Sequence, residues 1–290
     1  MHVVTDSGMD LAPEQTAGLS IHTVPLTIHL DGNSYRSGID IQNTEFYSLL
    51  TGTDSLPTTS LPSPGEIAEM YRKLAAGPGG STEILSVHIS SGLSGTYNAA
   101  CEAARLVPEA KITVLDTLTL SVAQGWQVEA AARAARAGWP ASQIAALVRQ
   151  IREKTETLFT LPELKWLIHG GRISHLQGLV ASVLNIRPLI HVSKEDGKYY
   201  TRDKKRSFRQ AMAQIVNVML LDHAEGTPLR AQVAHANNPE GAEQLREMVE
   251  ARFLCTWLPA TSIAPVLGAH TGPGLVGLAY AALEGYPAAP

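Results

Sequence analysis

The sequence predicts an α/β fold in two domains, and three observations carry the prediction. Through the first half, β-branched apolar runs alternate with alanine-rich helical stretches, the pattern of a largely parallel sheet covered by helices. In the second half, two strand-like runs within Arg187 to Tyr200 flank Glu195, Asp196 and Gly197, a hairpin signal that calls for antiparallel pairing and so for a second, mixed sheet. With 290 residues, 44% of them hydrophobic, the chain can bury a core in each domain. The boundary is expected near Leu158 to Leu161, giving domains 1–158 and 159–290.

Taken in order, Val3 and Val4 open a short strand that ends in Thr5, Asp6, Ser7 and Gly8. Asp6 is expected to satisfy loop amides at that strand end. Asp10 reads as the N-cap of a weak helix through Gln15. Leu26, Ile28 and Leu30 alternate with polar residues before Asp31, Gly32 and Asn33, a strand entering a hairpin turn. Asn43 is the expected cap of a helix from Glu45 to Leu50. The prolines at 57, 62 and 64 imply a stiffened loop that holds the hydroxyls of Thr58, Thr59 and Ser60 ahead of a helix. That helix starts with a capping box: Ser63 at the cap, Pro64 at the first position and Glu66 at the third.

Ile84 to Ile89 reads as a buried strand that breaks into Ser90, Ser91, Gly92, Leu93, Ser94 and Gly95 before an alanine-rich helix over Asn98 to Arg105. A helix start carries unpaired N–H groups and the positive end of the dipole, so this turn either caps its helix or holds an anion with hydroxyls and amides together. A strand over Ile112 to Leu115 and helices over Val122 to Ala137 and Ala141 to Thr155 follow. Asp116 to Thr119, like Ser90 to Ser94, falls at the carboxyl end of a strand, where open α/β sheets bind ligands. Pro162 to His169 is a short helix stopped by Gly170 and Gly171. Helices Lys204 to Leu221 and Pro239 to Phe253 flank a strand over Ala231 to Ala234. Pro265 to Gly274 reads as a glycine-rich turn that carries His270.

Composition excludes several functions. A formal charge of −4 leaves no electrostatic footprint for nucleic acid. The 2 cysteines form no CxxC, so neither a zinc site nor a disulfide framework is indicated. No HExxH, EF-hand loop or P-loop occurs, and the start of the chain lacks the basic and apolar regions of a signal peptide. A cytoplasmic protein without a metal or organic cofactor is expected.

Two chemistries remain open from the residues alone. Hydroxyls at Thr59, Ser60, Ser91 and Ser94, helix-start amides at Gly95, and an imidazole at His270 would suit a small acid. Alternatively, Ser94, Asp116 and His270 follow the Ser, Asp, His order of α/β-hydrolases, although Gly92-Leu93-Ser94-Gly95-Thr96 lacks the last glycine of a nucleophile elbow.

The segments TDSGMDL, PTTSLPSPGE, HISSGLSGTY, LDTLTLS, GGRIS, LNIRPLI and GAHTGPG occur in an order and spacing that resembles the DegV family of bacterial fatty-acid-binding proteins, and they cover nearly the whole chain. The resemblance implies two α/β domains with a long-chain fatty acid in a buried tunnel and its carboxylate in the cleft between them. It implies a head-group site at Thr59, Ser60, Ser91 or Ser94, Gly95, His270 and Thr271. It carries over Arg172 and Arg202 as basic residues near the head group or a partner surface. The partner implied is the ATP-binding subunit of a fatty-acid kinase, with peripheral membrane contact for lipid exchange and no ATP site on this chain. Leu61 stands where the family usually has glutamine and Ala123 where it commonly has glycine, departures that bear on ligand preference.

Overall fold

The computed structural model describes residues 1–77, 83–173 and 186–290. Its first half runs β1 (His2–Asp6), α1 (Pro13–Thr16), β2 (Ile21–Val24), β3 (Thr27–Leu30), β4 (Asn33–Arg36), α2 (Asn43–Thr51) and β5 (Thr58–Ser60). It continues through α3 (Pro64–Ala75), β6 (Glu83–His88), α4 (Thr96–Arg105), β7 (Lys111–Asp116), α5 (Ser121–Arg136) and α6 (Ala141–Lys154). Strands β2, β1, β6 and β7 form, in that order, a parallel sheet. Its order reverses between β1 and β6, and crevices at such a reversal are where ligands bind in this architecture.

The second half runs β8 (Glu156–Thr160), α7 (Lys165–His169), β9 (Arg187–Val192), β10 (Tyr199–Lys205), α8 (Phe208–Asp222) and β11 (Pro228–His235). It ends with α9 (Pro239–Glu250), β12 (Leu254–Trp257), β13 (Thr261–Ser262), α10 (Pro265–Thr271) and β14 (Val276–Ala282). Strands β10, β9, β8, β14 and β11 pair antiparallel, and β12 and β13 add in parallel along the outer edge of β11. The predicted class, α/β with a parallel first sheet and a mixed second one, is the class observed.

Alternation along the strands of the second sheet gives it two apolar faces. Leu229, Ala231, Val233, Leu278 and Tyr280 face the core of α8 and α9. Ala234, Ala236, Ala279, Phe159 and Ile190 face the larger core that also contains Val122 and Trp126 of α5. Helix α5 contacts both β1 of the first sheet and β11 of the second. A helix covered on all sides must be apolar or small all round, and α5 is so: buried residues run without a break from Val122 to Ala132. Gly125 is required there, because a Cβ would stand 2.5 Å from the Asp10 carbonyl oxygen.

Several local expectations are corrected. Thr58 to Ser60 is not a loop but strand β5, paired antiparallel with β3 so that Thr59 lies opposite Ile28. Pro57 and Pro62 merely bracket this three-residue edge. Asp10 does not cap α1, whose N-cap is Ala12; its buried carboxylate accepts from the Ala264 amide at 2.8 Å and from Ser121 Oγ at 2.5 Å instead. Asn43 is not a cap either, since Gln42 holds that place and the Asn43 amide donates to the Ser262 carbonyl at 2.8 Å. Lys204 belongs to β10, and α8 begins only after Ser207 caps it. The stretch carrying His270 is helix α10, not a turn, with Pro265 at its start and Gly272 at φ 69° closing it. Strand β14, at the centre of the second sheet, is built of VGLAYAA, too rich in small residues to announce itself by pattern.

Other expectations hold. The Ser63–Glu66 capping box starts α3. Asp6 is fully buried and accepts from the amides of Gly8 (2.9 Å) and Ile89 (2.8 Å), so it ties the end of β1 to the end of β6. Ser174 of GGRIS, and Leu184 and Asn185 of LNIRPLI, lie outside the described residues.

Candidate lipid site

Beyond β5 and β6 lies a cavity of about 350 Å³ whose polar wall is made by Thr59, Ser60, Ser94, Arg172 and His270. Its remaining wall is apolar, with Leu93, Leu120 and Leu267 among the lining residues. Each polar group arrives on a different element. Strand β5 carries Thr59, the loop before α4 carries Ser94, the loop after α7 carries Arg172, and the last turn of α10 carries His270.

The Thr59 hydroxyl and His270 Nε2 are hydrogen-bonded at 2.8 Å. Burial, with Arg172 and His169 nearby, pushes the His270 imidazole down to about 3, so it is neutral at physiological pH. Its Nδ1 is buried without a hydrogen-bond partner among the described residues. Gly170 packs against that nitrogen so closely that a Cβ would lie 2.1 Å from it. Arg172 donates to the backbone carbonyls of Gly170 (2.5 Å) and Leu93 (3.3 Å) and pairs with no carboxylate among the described residues. Burial lowers its pKa, the sign of a cation held partly out of water without a counter-charge. An anion entering here would meet a hydroxyl pair, a neutral imidazole and an unpaired guanidinium.

The cavity continues into an apolar arm. Leu120, Tyr199 and Leu267 line both spaces, and the arm runs on past Val122, Ala234 and Gly277 with very little polar surface. It is narrow, holding about 40 Å³ of free space. A polar head region joined to an apolar arm is the arrangement an amphiphile needs.

The remaining predicted residues are distributed around this centre. Ser60 lines the cavity, but its hydroxyl bonds His29 Nε2 at 3.0 Å. Ser94 faces the cavity, whereas Ser91 and Gly95 line a neighbouring outer groove that Ser94 and Arg172 also border. The Ser94 hydroxyl bonds Thr96 Oγ1 at 2.8 Å. Thr271 borders the apolar arm, with its hydroxyl turned back onto the Leu267 carbonyl at 3.1 Å. Arg202 is exposed on β10 and borders neither the cavity, the arm nor the groove. The hydrolase constellation is not assembled: Asp116 accepts from the amides of Ser91 (3.2 Å) and Leu118 (3.0 Å), and no hydrogen bond among the described residues joins Ser94, Asp116 and His270.

Tyr199 is the principal residue that sequence reasoning missed. It is buried among the walls of all three spaces, and burial holds its phenol well above the ordinary range. The hairpin signal located its strand, but only the sheet shows which way the side chain points. Among the described residues no group of three or more His, Cys, Asp or Glu could hold a metal ion, and no helix is long and apolar enough to cross a membrane.

A family model described as an uncharacterised protein of the DegV family matches residues 1–283. A DegV domain-containing protein of Deinococcus radiodurans is 36% identical over 279 residues, which cover 96% of this chain and 94% of the relative. Among solved structures, DegV of Bacillus subtilis, described as a fatty acid binding protein, superposes with a TM-score of 0.86 at 28% identity, covering 97% of this chain and 98% of its own. A fatty-acid-binding DegV family protein of Thermus thermophilus gives 0.85 at 28% identity, over 97% and 99% of the two chains. The order of seven motifs, the pair of sheets and these matches agree, and the chain belongs to the DegV family.

Proposed function

We propose that this protein binds a long-chain fatty acid, with its carboxylate among Thr59, Ser94, His270 and Arg172 and its acyl chain in the arm between α5 and the second sheet. The observation that carries the reading is the continuity of the two spaces: one polar wall with an unpaired guanidinium, then an arm lined almost wholly by carbon. The solved relatives described as fatty-acid-binding support it. Each methylene removed from water contributes ~0.8 kcal/mol before ordering costs, so the arm supplies affinity and the polar wall sets direction. Ser94, which faces the cavity, is favoured over Ser91 as the head-group serine. Gly95 and Thr271 border the site without offering a free hydroxyl to it. The protein acts as a carrier in this reading, composed of units 1–158 and 159–290, and the fatty acid is its only small-molecule partner.

The finer reading adds a macromolecular partner. Arg172 borders both the inner cavity and the outer groove, which supports presentation of the carboxyl group to the ATP-binding subunit of a fatty-acid kinase, with Arg202 on the docking surface. That subunit would supply ATP and form the acyl phosphate. Exchange of the lipid at a membrane surface and residence in the cytoplasm belong to the same proposal.

The test is native mass spectrometry of the purified protein, followed by organic extraction of what it releases. One fatty acid per chain is expected, and its loss in Thr59→Ala and His270→Ala together would place the carboxylate. A protein that is empty and refuses added fatty acids overturns the reading.

A further inference from the structure

The apolar arm has an end that can be located from the strand register. In the second sheet Phe159, Gly277 and Ala234 lie side by side, and all three line the arm. Two residues back along β11, on the same face, the next row is Thr157, Ala279 and Gln232. Helix α5 runs over these rows in step: Val122 lines the arm and Trp126 stands one turn further on. Trp126 and Gln232 meet there, the indole N–H donating to Gln232 Oε1 at 2.6 Å. The Gln232 amide in turn donates to Gln15 Oε1 and to the Pro259 carbonyl, both at 2.9 Å. Both side chains are buried, and these three bonds hold the glutamine.

Past this pair the environment changes character. The next row pairs Arg230 with Ala281, and the Arg230 guanidinium lies 4.8 Å from the Trp126 ring and 5.6 Å from that of Tyr286. Glu129 and Arg133 join them around an open cleft of about 590 Å³. An acyl chain gains by leaving water for the arm and gains nothing among paired charges.

We propose that Trp126 and Gln232 form the end wall of the acyl arm and set the longest chain the protein accepts. This rests on the fatty-acid reading above. The indole supplies a flat apolar stop for the terminal methyl group. The glutamine pins the indole from the sheet side, so the stop does not yield as a side chain free to change rotamer would.

The test is competition binding of a homologous series of saturated acids, from lauric to lignoceric, read by native mass spectrometry on the wild type, Trp126→Leu and Gln232→Ala. In the wild type, affinity is expected to rise about four-fold per methylene up to a cut-off and then to fall. Trp126→Leu opens the arm toward the charged cleft and moves the cut-off to longer chains by about two methylenes or more, restoring at least ten-fold in affinity for the acids just beyond the wild-type limit. Gln232→Ala moves it in the same direction and decides the matter if the tryptophan variant does not fold. An unchanged cut-off in a variant that still binds the acids overturns the end wall and leaves the fatty-acid reading standing. A wild type that binds the whole series without a cut-off likewise overturns the wall alone, whereas one that binds no acid of any length overturns the functional reading and the wall with it.

Discussion

His270 is held neutral by its surroundings, and that has a measurable cost. Its folded pKa, near 3, lies below the 6.5 of an unperturbed imidazole, so between those values the unfolded chain takes up a proton that the folded protein refuses. Stability therefore falls as pH drops through that window, by at most ~1.4 kcal/mol per pH unit from this group. Denaturant titrations of the ligand-free protein at pH 7 and pH 5 should show this loss, and His270→Gln should reduce it; an equal loss in both proteins would mean that another group titrates. The histidine and Thr59 were legible as candidates because hydroxyls and an imidazole stand in segments with special backbone chemistry. Their mutual contact, with 211 residues of chain between them, was not. Neither was Tyr199, whose inward direction depends on the parity of its strand against β9.

At the scale of the element, α10 shows how a helix can be made by its neighbours. A segment reading GAHTGPG carries weak intrinsic helix propensity, yet its start is fixed from outside: Asp10 accepts the Ala264 amide, Ser37 Oγ accepts the Val266 amide at 3.4 Å, and the Tyr47 hydroxyl donates to the Ile263 carbonyl at 3.3 Å. Asp10 also joins this helix to the start of α5 through Ser121. Burial raises its carboxyl to about 7, above the 3.8 of a free aspartate, so the folded protein keeps a proton over this range that the unfolded chain releases. Stability from this group is full below pH ~4 and is lost as pH rises through ~7. Asp10→Asn keeps an acceptor for Ala264 and offers an amide to Ser121. It should remove that dependence and be more stable than wild type at pH 8 by on the order of 2 kcal/mol. Thermal melts of both proteins at pH 5 and pH 8 check this, and a variant less stable at pH 8 would show that the charged form is the one the site prefers. By contrast, the Ser63–Glu66 capping box was readable in advance, because every partner lies within four residues.

At the scale of the whole molecule, the site is built where the Ser90–Ser94 loop of the first sheet docks on the β9–β10 hairpin. Ser90 Oγ donates to the Gly197 carbonyl at 2.8 Å, and a Cβ on Gly92 would stand 2.2 Å from the Asp196 carbonyl oxygen. Gly197 has φ 66°, and a Cβ there would lie 1.9 Å from Ser90 Oγ. Gly197→Ala should therefore push loop and hairpin apart and weaken fatty-acid binding by about ten-fold or more, at a stability cost of about 1–3 kcal/mol. Displacement of a fluorescent fatty acid and a melting curve measure the two effects, and unchanged affinity would separate the docking from the site. The sequence by itself determined the class of the fold, the alternation of the first half, the hairpin of the second, the capping box and the order of motifs that marks the family. All of these are local patterns, or patterns of order along one chain. Tertiary structure alone decided that β5 is a strand, that His270 ends a helix, that Ser94 rather than Ser91 faces the cavity, that Arg202 stands apart, and that Trp126 and Gln232 meet. Each of those depends on a partner distant in sequence, and the contact that makes it exists only once α5 is enclosed between the two sheets.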